Sequence, residues 1–189
     1  MAEIAGGLEQ GLMRLRAVAR PHLERISAQT GETVNLVVLD NNRVVYVDQV
    51  EGTRRVRMFT AVGTAALAHT TGAGKAIMAY GDPEVARALY AGREPLERLT
   101  PGTLVTVAEL EEDFARIRAR GYALDEEEHE IGVGCIAAPV FDELGVPVAA
   151  ISVSGPTTRV LQGDRGELAG LVVRHAGEAS AALGYAAAA

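Results

Sequence analysis

The segment HTTGAGKAIMAY, residues 69–80, places two glycines and a lysine at the start of a predicted helix. A phosphate-binding P-loop requires a glycine five residues before its Gly-Lys pair and a Ser or Thr directly after it. His69 and Ala76 occupy those two positions, so the pattern argues against a P-loop. A dinucleotide site is not predicted either, because no strand–helix–strand unit surrounds these glycines.

The same segment has the chemistry of a small anion site. Thr70 or Thr71 can cap the helix, and Gly72, Ala73 and Gly74 are small enough to expose its first backbone amides. Unpaired amides at a helix start, together with the helix dipole, favour a carboxylate. Alternatively, the glycines only allow the helix to pack close to a sheet. The sequence leaves both interpretations open.

A second polar cluster is GYALDEEEHEIGVGC, residues 121–135, which contains several carboxylates, one histidine and the only cysteine. Metal binding is not predicted, because the spaced histidines of a His-Glu-x-x-His motif are missing. Most of the acidic run is expected to be a solvated loop or edge. Cys135 is expected to be a buried thiol, since nothing in the sequence pairs it with a histidine base.

The strands GCIAAPVF and VPVAAISVSG form a predicted hairpin around DELG, residues 142–145. With a four-residue loop, Cys135 lies opposite Ser152, and Ser154 points to the same face because alternate residues of a strand share a face. A thiol and two hydroxyls on one buried face need hydrogen-bond partners. They either satisfy backbone groups or line a polar pocket.

Helical and strand patterns alternate along the chain in an order that predicts an α+β fold. Helices are predicted at 8–19, from Pro21 to a stop at Gly31, at 72–81, from Pro83 with Asp82 as cap, at 107–121 and at about 164–183. Strands are predicted for TVNLVVLD, RVVYVDQV, RRVRMFT and YALD and for the hairpin above, with 93–106 mostly loop. Tight hairpins between strands favour an antiparallel sheet with helices packed on it.

Composition excludes several classes of function. The net charge is −7 and basic residues do not cluster beyond RRVR, so the chain is not predicted to be attracted to a phosphate backbone by itself. Apolar runs are shorter than the roughly 20 residues that a membrane span needs. A single cysteine fits a reducing cytoplasm, and the first residues do not resemble a signal peptide.

Four motifs together carry a family resemblance over about residues 8–184: VNLVVLDNNRVVYVDQV, LAHTTGAGKAIMAY, RGYALDEEEHEIGVGCIAAPVFDELGVPVAAISVSGP and the following Arg159. The sequence resembles the effector-binding domain of IclR-family bacterial transcription regulators. The resemblance implies a GAF-like α+β domain at 31–185, with a curved antiparallel sheet flanked by helices. Residues 1–30 would form a linker helix and an entry helix, and the DNA-binding winged helix-turn-helix is expected to be absent from this chain.

The resemblance also implies which residues bind an effector and what that effector is. The implied contacts are Gly72, Ala73, Asp125, Cys135, Ser152 and Ser154, and the implied pocket wall is Arg55, Met58 and Ala66. They would sense a small oxo- or hydroxy-carboxylate without a cofactor, in a homodimer or tetramer that reaches promoter DNA only through the missing module. Two alternatives remain: a dimerisation module with a vestigial pocket, and a thiol-dependent enzyme on a GAF-like scaffold.

Overall fold

The computed structural model describes residues 2–186, apart from the side chains of residues 2–6 and 8. The helices are α1 (Ala2–Thr30), α2 (Gly72–Tyr80), α3 (Pro83–Tyr90), α4 (Val107–Arg120), α5 (Thr157–Val160) and α6 (Arg165–Ala182). The strands are β1 (Thr33–Asp40), β2 (Arg43–Val50), β3 (Ala65–Leu67), β4 (Ala123–Glu126), β5 (Val133–Phe141) and β6 (Pro147–Pro156). None of the described helices is long and apolar enough to cross a membrane.

The strands form one antiparallel sheet in the order β3-β2-β1-β6-β5-β4. Bulges interrupt the pairing at Leu36/Val37 and at Val140/Phe141. A bulge bends its strand and increases the local twist, which curves a sheet. The α+β prediction with an antiparallel sheet and flanking helices is therefore confirmed.

Two hydrophobic layers cover the two faces of this sheet. Leu23 of α1 and Val172 of α6 belong to one layer, which also receives Ile151 and Val153 of β6. Ile77 of α2 and Ile117 of α4 belong to the other layer. Cys135 lies on this second face, opposite to Ile151 and Val153.

The prediction of two N-terminal helices that meet near Pro21 is wrong, because α1 runs without a break to Thr30. Proline removes one helical hydrogen bond and disfavours a helix interior. Here the buried side chains on both sides of it, including Leu15, Leu23 and Ile26, hold the helix against the core. The predicted stop is confirmed: Gly31 has φ of 72° and its amide donates to the Ser27 carbonyl at 2.7 Å.

The predicted strand RRVRMFT is also wrong, since β3 begins only at Ala65. An alternating sequence forms a strand when one face can be buried, but Val56 and Phe59 are among the exposed residues of this segment. Its polar groups turn to other partners instead. Arg57 pairs with Glu51, and Thr60 donates to Asn35.

The predicted register of the β5–β6 hairpin is off by two residues, because Cys135 lies opposite Ser154 and not Ser152. Two features lengthen the turn. The Asp142 amide donates to the Val146 carbonyl, so the connection includes Val146, and the bulge at Val140/Phe141 adds a further shift. A slip of two leaves every side chain on its original face, so Cys135, Ser152 and Ser154 still share one face.

Candidate functional site

A short 3-10 turn, Ala68–Thr70, leads into α2 and leaves the first amides of that helix unpaired. Thr71 is extended and its Oγ1 accepts from the Gly74 amide at 3.0 Å, which confirms a threonine N-cap. Within the described residues, the amides of Gly72 and Ala73 have no hydrogen-bond acceptor. Both residues are buried. The helix start therefore presents two amide donors and its positive dipole end to the interior.

The glycines of this turn serve two different purposes. A Cβ on Gly74 would lie 2.2 Å from the Ala68 carbonyl oxygen, so this glycine allows the helix to pack against the preceding turn. A Cβ on Gly72 would lie 3.2 Å from Cys135 Sγ and 3.4 Å from the Asp125 amide. Gly72 thus brings its backbone directly against β4 and β5. The packing interpretation is therefore confirmed, because Gly72 lies directly against the sheet, while the anion site stays a prediction.

Polar side chains cross the sheet face below α2 in two neighbouring rows. In the first row Thr33, Ser154, Cys135 and Asp125 are paired successively across β1, β6, β5 and β4. In the second row Gln49, Asn35 and Ser152 are paired across β2, β1 and β6. Since cross-strand partners point to the same face, the structure brings the side chains of Asp125, Cys135, Ser152 and Ser154 together beside Gly72.

Asn35 also belongs to this cluster, although it was not among the residues predicted from the sequence. It is fully buried, and its Oδ1 accepts from Thr60 Oγ1 at 2.8 Å and from Gln49 Nε2 at 3.2 Å. Those contacts turn its Nδ2 away from them, and Nδ2 has no partner among the described residues. A buried unpartnered donor is unfavourable unless a ligand or water satisfies it. The signal in the sequence was one asparagine inside the aliphatic strand TVNLVVLD.

Asp125 is a buried carboxyl with an altered ionisation. Its Oδ1 accepts from the Glu128 amide at 2.7 Å and from the His129 amide at 3.3 Å. Burial raises its pKa to about 7, and the charge of Glu128 adds to the effect, against the lowering influence of those amides. Near neutral pH the carboxyl therefore exists in both forms. It can donate a hydrogen bond when protonated and accept one when ionised.

The Cys135 thiol lacks the features of a nucleophile. Burial raises its pKa to about 12, the charge of Asp125 adds to this, and the hydroxyls of Ser154 and Ser152 offset only part. In the described part of the chain, no imidazole is hydrogen-bonded to its Sγ. The thiol stays protonated at neutral pH, so the arrangement argues against thiol catalysis.

Tyr46 of β2 is a further member of the cluster that sequence reasoning missed. Its side chain packs against the apolar cluster that contains Cys135. Burial raises the pKa of its phenol, and the charges of Cys135 and Asp125 add to the effect. The phenol is protonated at neutral pH and can donate. Nothing in RVVYVDQV distinguishes a pocket tyrosine from one that only packs in the sheet.

The residues predicted as pocket wall lie in three different environments. Ala66 is buried in the same apolar cluster as Ala73 and Cys135. Met58 is half-buried, and its carbonyl accepts from Thr33 Oγ1 at 2.8 Å, which holds this backbone beside the first polar row. Arg55 is exposed on the segment between β2 and β3, and its place in the wall stays a prediction.

Lys75 of α2 forms a buried ion cluster with Glu128 of the acidic run and Asp113 of α4. Lys75 Nζ lies 2.5 Å from Glu128 Oε1 and 2.9 Å from Asp113 Oδ2, and all three side chains are buried. The expectation of a solvated acidic run is therefore wrong for Asp125 and Glu128, which face inward because Lys75 and backbone amides partner them. The lysine that suggested a phosphate site is engaged in an internal ion pair.

A separate cavity of about 240 Å³ lies between α3 and α4 and is lined by Met78, Tyr90, Leu110 and Phe114, among others. Charged groups at its rim already have partners: Arg87 pairs with Glu111, and Arg118 donates to the Ala79 carbonyl. The polar cluster differs because it contains donors that have no partner among the described residues. We therefore regard the polar cluster as the candidate ligand site.

Comparison with known sequences places these features in a family. The protein-family model described as "Bacterial transcriptional regulator IclR C-terminal" matches residues 11–181 of this chain. The Escherichia coli transcriptional repressor IclR is 39% identical over 173 residues, which are 90% of this chain and 62% of that protein. The Paracoccus denitrificans HTH-type transcriptional regulator BhcR is 44% identical over 163 residues, 86% of this chain and 58% of that protein. The chain thus spans about three fifths of these relatives.

Solved structures agree with the sequence comparison. The Thermotoga maritima IclR structure superimposes with a TM-score of 0.86 and 34% identity, over 97% of this chain and 74% of that one. The inducer-binding domain of PobR from Acinetobacter gives a TM-score of 0.77 and 32% identity, over 87% of this chain and 96% of that one. The named relatives are transcriptional regulators or repressors.

Proposed function

Because the chain belongs to the IclR family of bacterial transcriptional regulators, we propose that its polar cluster binds a small oxo- or hydroxy-carboxylate and that binding alters promoter affinity in the longer protein. The observation that carries the proposal is a set of donors, at the start of α2 and on the sheet face below it, that have no partner among the described residues. The amides of Gly72 and Ala73 are suited to a carboxylate, and Asn35 Nδ2 is a third donor without a partner among the described residues.

The remaining groups of the cluster suit the rest of such a ligand. The hydroxyls of Ser152 and Ser154 and the Tyr46 phenol supply further donors, and Asp125 changes from donor to acceptor with its protonation. The solved PobR structure is a double mutant of the inducer-binding domain in complex with 3-hydroxybenzoic acid, which combines a carboxylate with a hydroxyl. This likeness supports the ligand class for the present chain, with a smaller acid as the proposed ligand.

Coupling to DNA requires that the ligand bind two states of the assembly with different affinity. We propose that this assembly is a homodimer or tetramer in the bacterial cytoplasm, and that a DNA-binding module outside this chain reads the promoter. A domain that only dimerises would bind no small acid at the cluster. A measurement of ligand binding therefore distinguishes a sensing domain from a domain that only dimerises.

Calorimetric titration with pyruvate and lactate as probes tests the assignment. Ser154→Ala should weaken binding about 10–100-fold, because a hydrogen bond to a charged group contributes about 1.5–3 kcal/mol. Asn35→Asp should weaken it about 100-fold, since the donor is replaced by a second acceptor. Thr60→Val is the matched control: it removes a contact to Asn35 Oδ1 but keeps the Nδ2 donor. Equal affinities in all variants would refute the cluster as the site.

The pH dependence of binding should report the ionisation of Asp125. A bound carboxylate disfavours the ionised form of this carboxyl, whose pKa is about 7 in the free protein, so binding takes up a proton above that pH. Pyruvate affinity should fall by up to about 10-fold per pH unit above pH 7. Lactate should show a weaker dependence, since its hydroxyl can donate to ionised Asp125.

Asp125→Asn is the control for this dependence, because the amide keeps the size of the side chain but cannot titrate. Titrations between pH 6 and pH 8.5 should give a flat pyruvate affinity in that variant. A slope that persists in Asp125→Asn would assign the effect to another group.

A further inference from the structure

A second cluster lies on the opposite side of the sheet, where α1 packs against α6. His22 Nδ1 and His175 Nδ1 are 3.0 Å apart. Glu178 Oε2 lies 3.5 Å from the first nitrogen and 3.4 Å from the second. His175 and Glu178 share one face of α6, because residues three apart on a helix are neighbours. Three potential ligand atoms thus form a nearly regular triangle.

The dimensions of this triangle are those of a metal site. Bonds of about 2.0–2.1 Å from a tetrahedral metal to nitrogen and oxygen place neighbouring ligand atoms about 3.3 Å apart. A hydrogen-bonded network explains the triangle less well. One hydrogen bond between the two Nδ1 atoms accounts for their 3.0 Å separation. It does not account for the carboxylate, which lies 3.5 and 3.4 Å from the two nitrogens, beyond the 2.7–3.2 Å that is usual for N–H···O bonds.

The two imidazoles are in the form that a metal requires. Burial lowers the pKa of His22, and the positive charge of a protonated His175 would lower it further. Burial also lowers the pKa of His175, with Glu178 opposing and Arg174 and Arg25 adding to the shift. Burial thus favours the neutral form of both rings, which is the form that binds a metal ion. The Glu178 side chain is 48% exposed, which leaves a path from solvent to the triangle.

We infer that His22, His175 and Glu178 bind one divalent transition metal ion per chain, with Zn²⁺ as the representative ion. Two imidazoles and one carboxylate suit zinc and its neighbours better than Mg²⁺ or Ca²⁺, which prefer oxygen ligands. Three protein ligands leave a fourth position for water. The ion would tie α1 to α6, the two helices that pack on this face of the sheet. The inference does not depend on the proposed effector.

Zinc titration of chelator-treated protein by calorimetry tests this site. The wild-type domain should bind one Zn²⁺ per chain and unfold at a higher temperature with zinc than without it. His22→Gln and His175→Gln should each lower the affinity by at least about 100-fold, because even residues that only support a metal ligand cost 10–100-fold. Glu178→Gln should lower it about 10-fold or more.

Two control variants make the result specific. Cys135→Ser and His129→Gln remove potential metal ligands at the polar cluster, on the other face of the sheet. Both variants should therefore bind zinc like the wild type. If either histidine variant fails to fold by circular dichroism, the half-exposed Glu178→Gln decides the outcome. The inference is overturned if the wild type does not bind zinc at a 1:1 ratio. It is also overturned if Glu178→Gln binds like the wild type or if Cys135→Ser removes binding.

Discussion

Replacing Lys75 by methionine should lower the free energy of unfolding by about 3–5 kcal/mol, the usual cost of removing one partner of a buried ion pair. Lys75 is 1% exposed and lies against the carboxylates of Glu128 and Asp113. Burial raises the pKa of Glu128, while the Lys75 ammonium lowers it. Without the ammonium, the two carboxyl groups remain buried next to each other and lose the buried cation that neutralises them.

Urea unfolding followed by circular dichroism measures this effect, and Arg116→Met is its matched control. Arg116 contacts the same Asp113 at 3.3 Å, but its side chain is 56% exposed, so its loss should cost no more than about 1 kcal/mol. Adding Glu128→Gln and Asp113→Asn to Lys75→Met should recover part of the loss. A cost below about 1 kcal/mol for Lys75→Met alone would contradict a buried ion cluster.

Gly72→Pro should weaken carboxylate binding by about 10–100-fold, because it deletes one of the two amide donors to a charged ligand. The backbone tolerates proline at this position. Gly72 is the first residue of α2, where proline is favoured, and Thr71 before it is extended, with φ of −113° and ψ of 142°. The helix should therefore form while the donor is lost.

Gly72→Ala is the control, since it adds the same Cβ, 3.2 Å from Cys135 Sγ, but keeps the amide. The difference in affinity between the proline and alanine variants measures the effect of losing the amide donor, apart from the steric effect of the added Cβ. Calorimetry with pyruvate gives both values. If the two variants bind pyruvate with equal affinity, the Gly72 amide does not donate a hydrogen bond to the ligand carboxylate.

The parts of the fold that local sequence determines could be predicted well. The Asp82 cap and the stop of α4 at Gly121 each satisfy a helix end with residues that are close in sequence. The same holds for the hairpin face, since a slip of two residues leaves Cys135 and Ser154 on one side. Strand alternation therefore defined the polar face even though the exact partner was wrong.

What the sequence did not reveal depends on contacts between distant residues. The continuity of α1 through Pro21 comes from core packing and contradicts the local preference of proline. Lys75 contacts Glu128, which is 53 residues away in the sequence, and His22 contacts His175, which is 153 residues away. Asn35 became a candidate only when its Oδ1 partners, Thr60 and Gln49, were known. Such pairs leave no periodic signal in a single sequence.

A crystal structure of this domain with bound pyruvate or lactate tests the central claim most directly. We expect the ligand carboxylate within hydrogen-bond distance of the Gly72 and Ala73 amides, with Ser154 and Asn35 Nδ2 as further donors. Ligand density in the cavity between α3 and α4, against Tyr90 and Phe114, with the amides of Gly72 and Ala73 bound only to water, would contradict it.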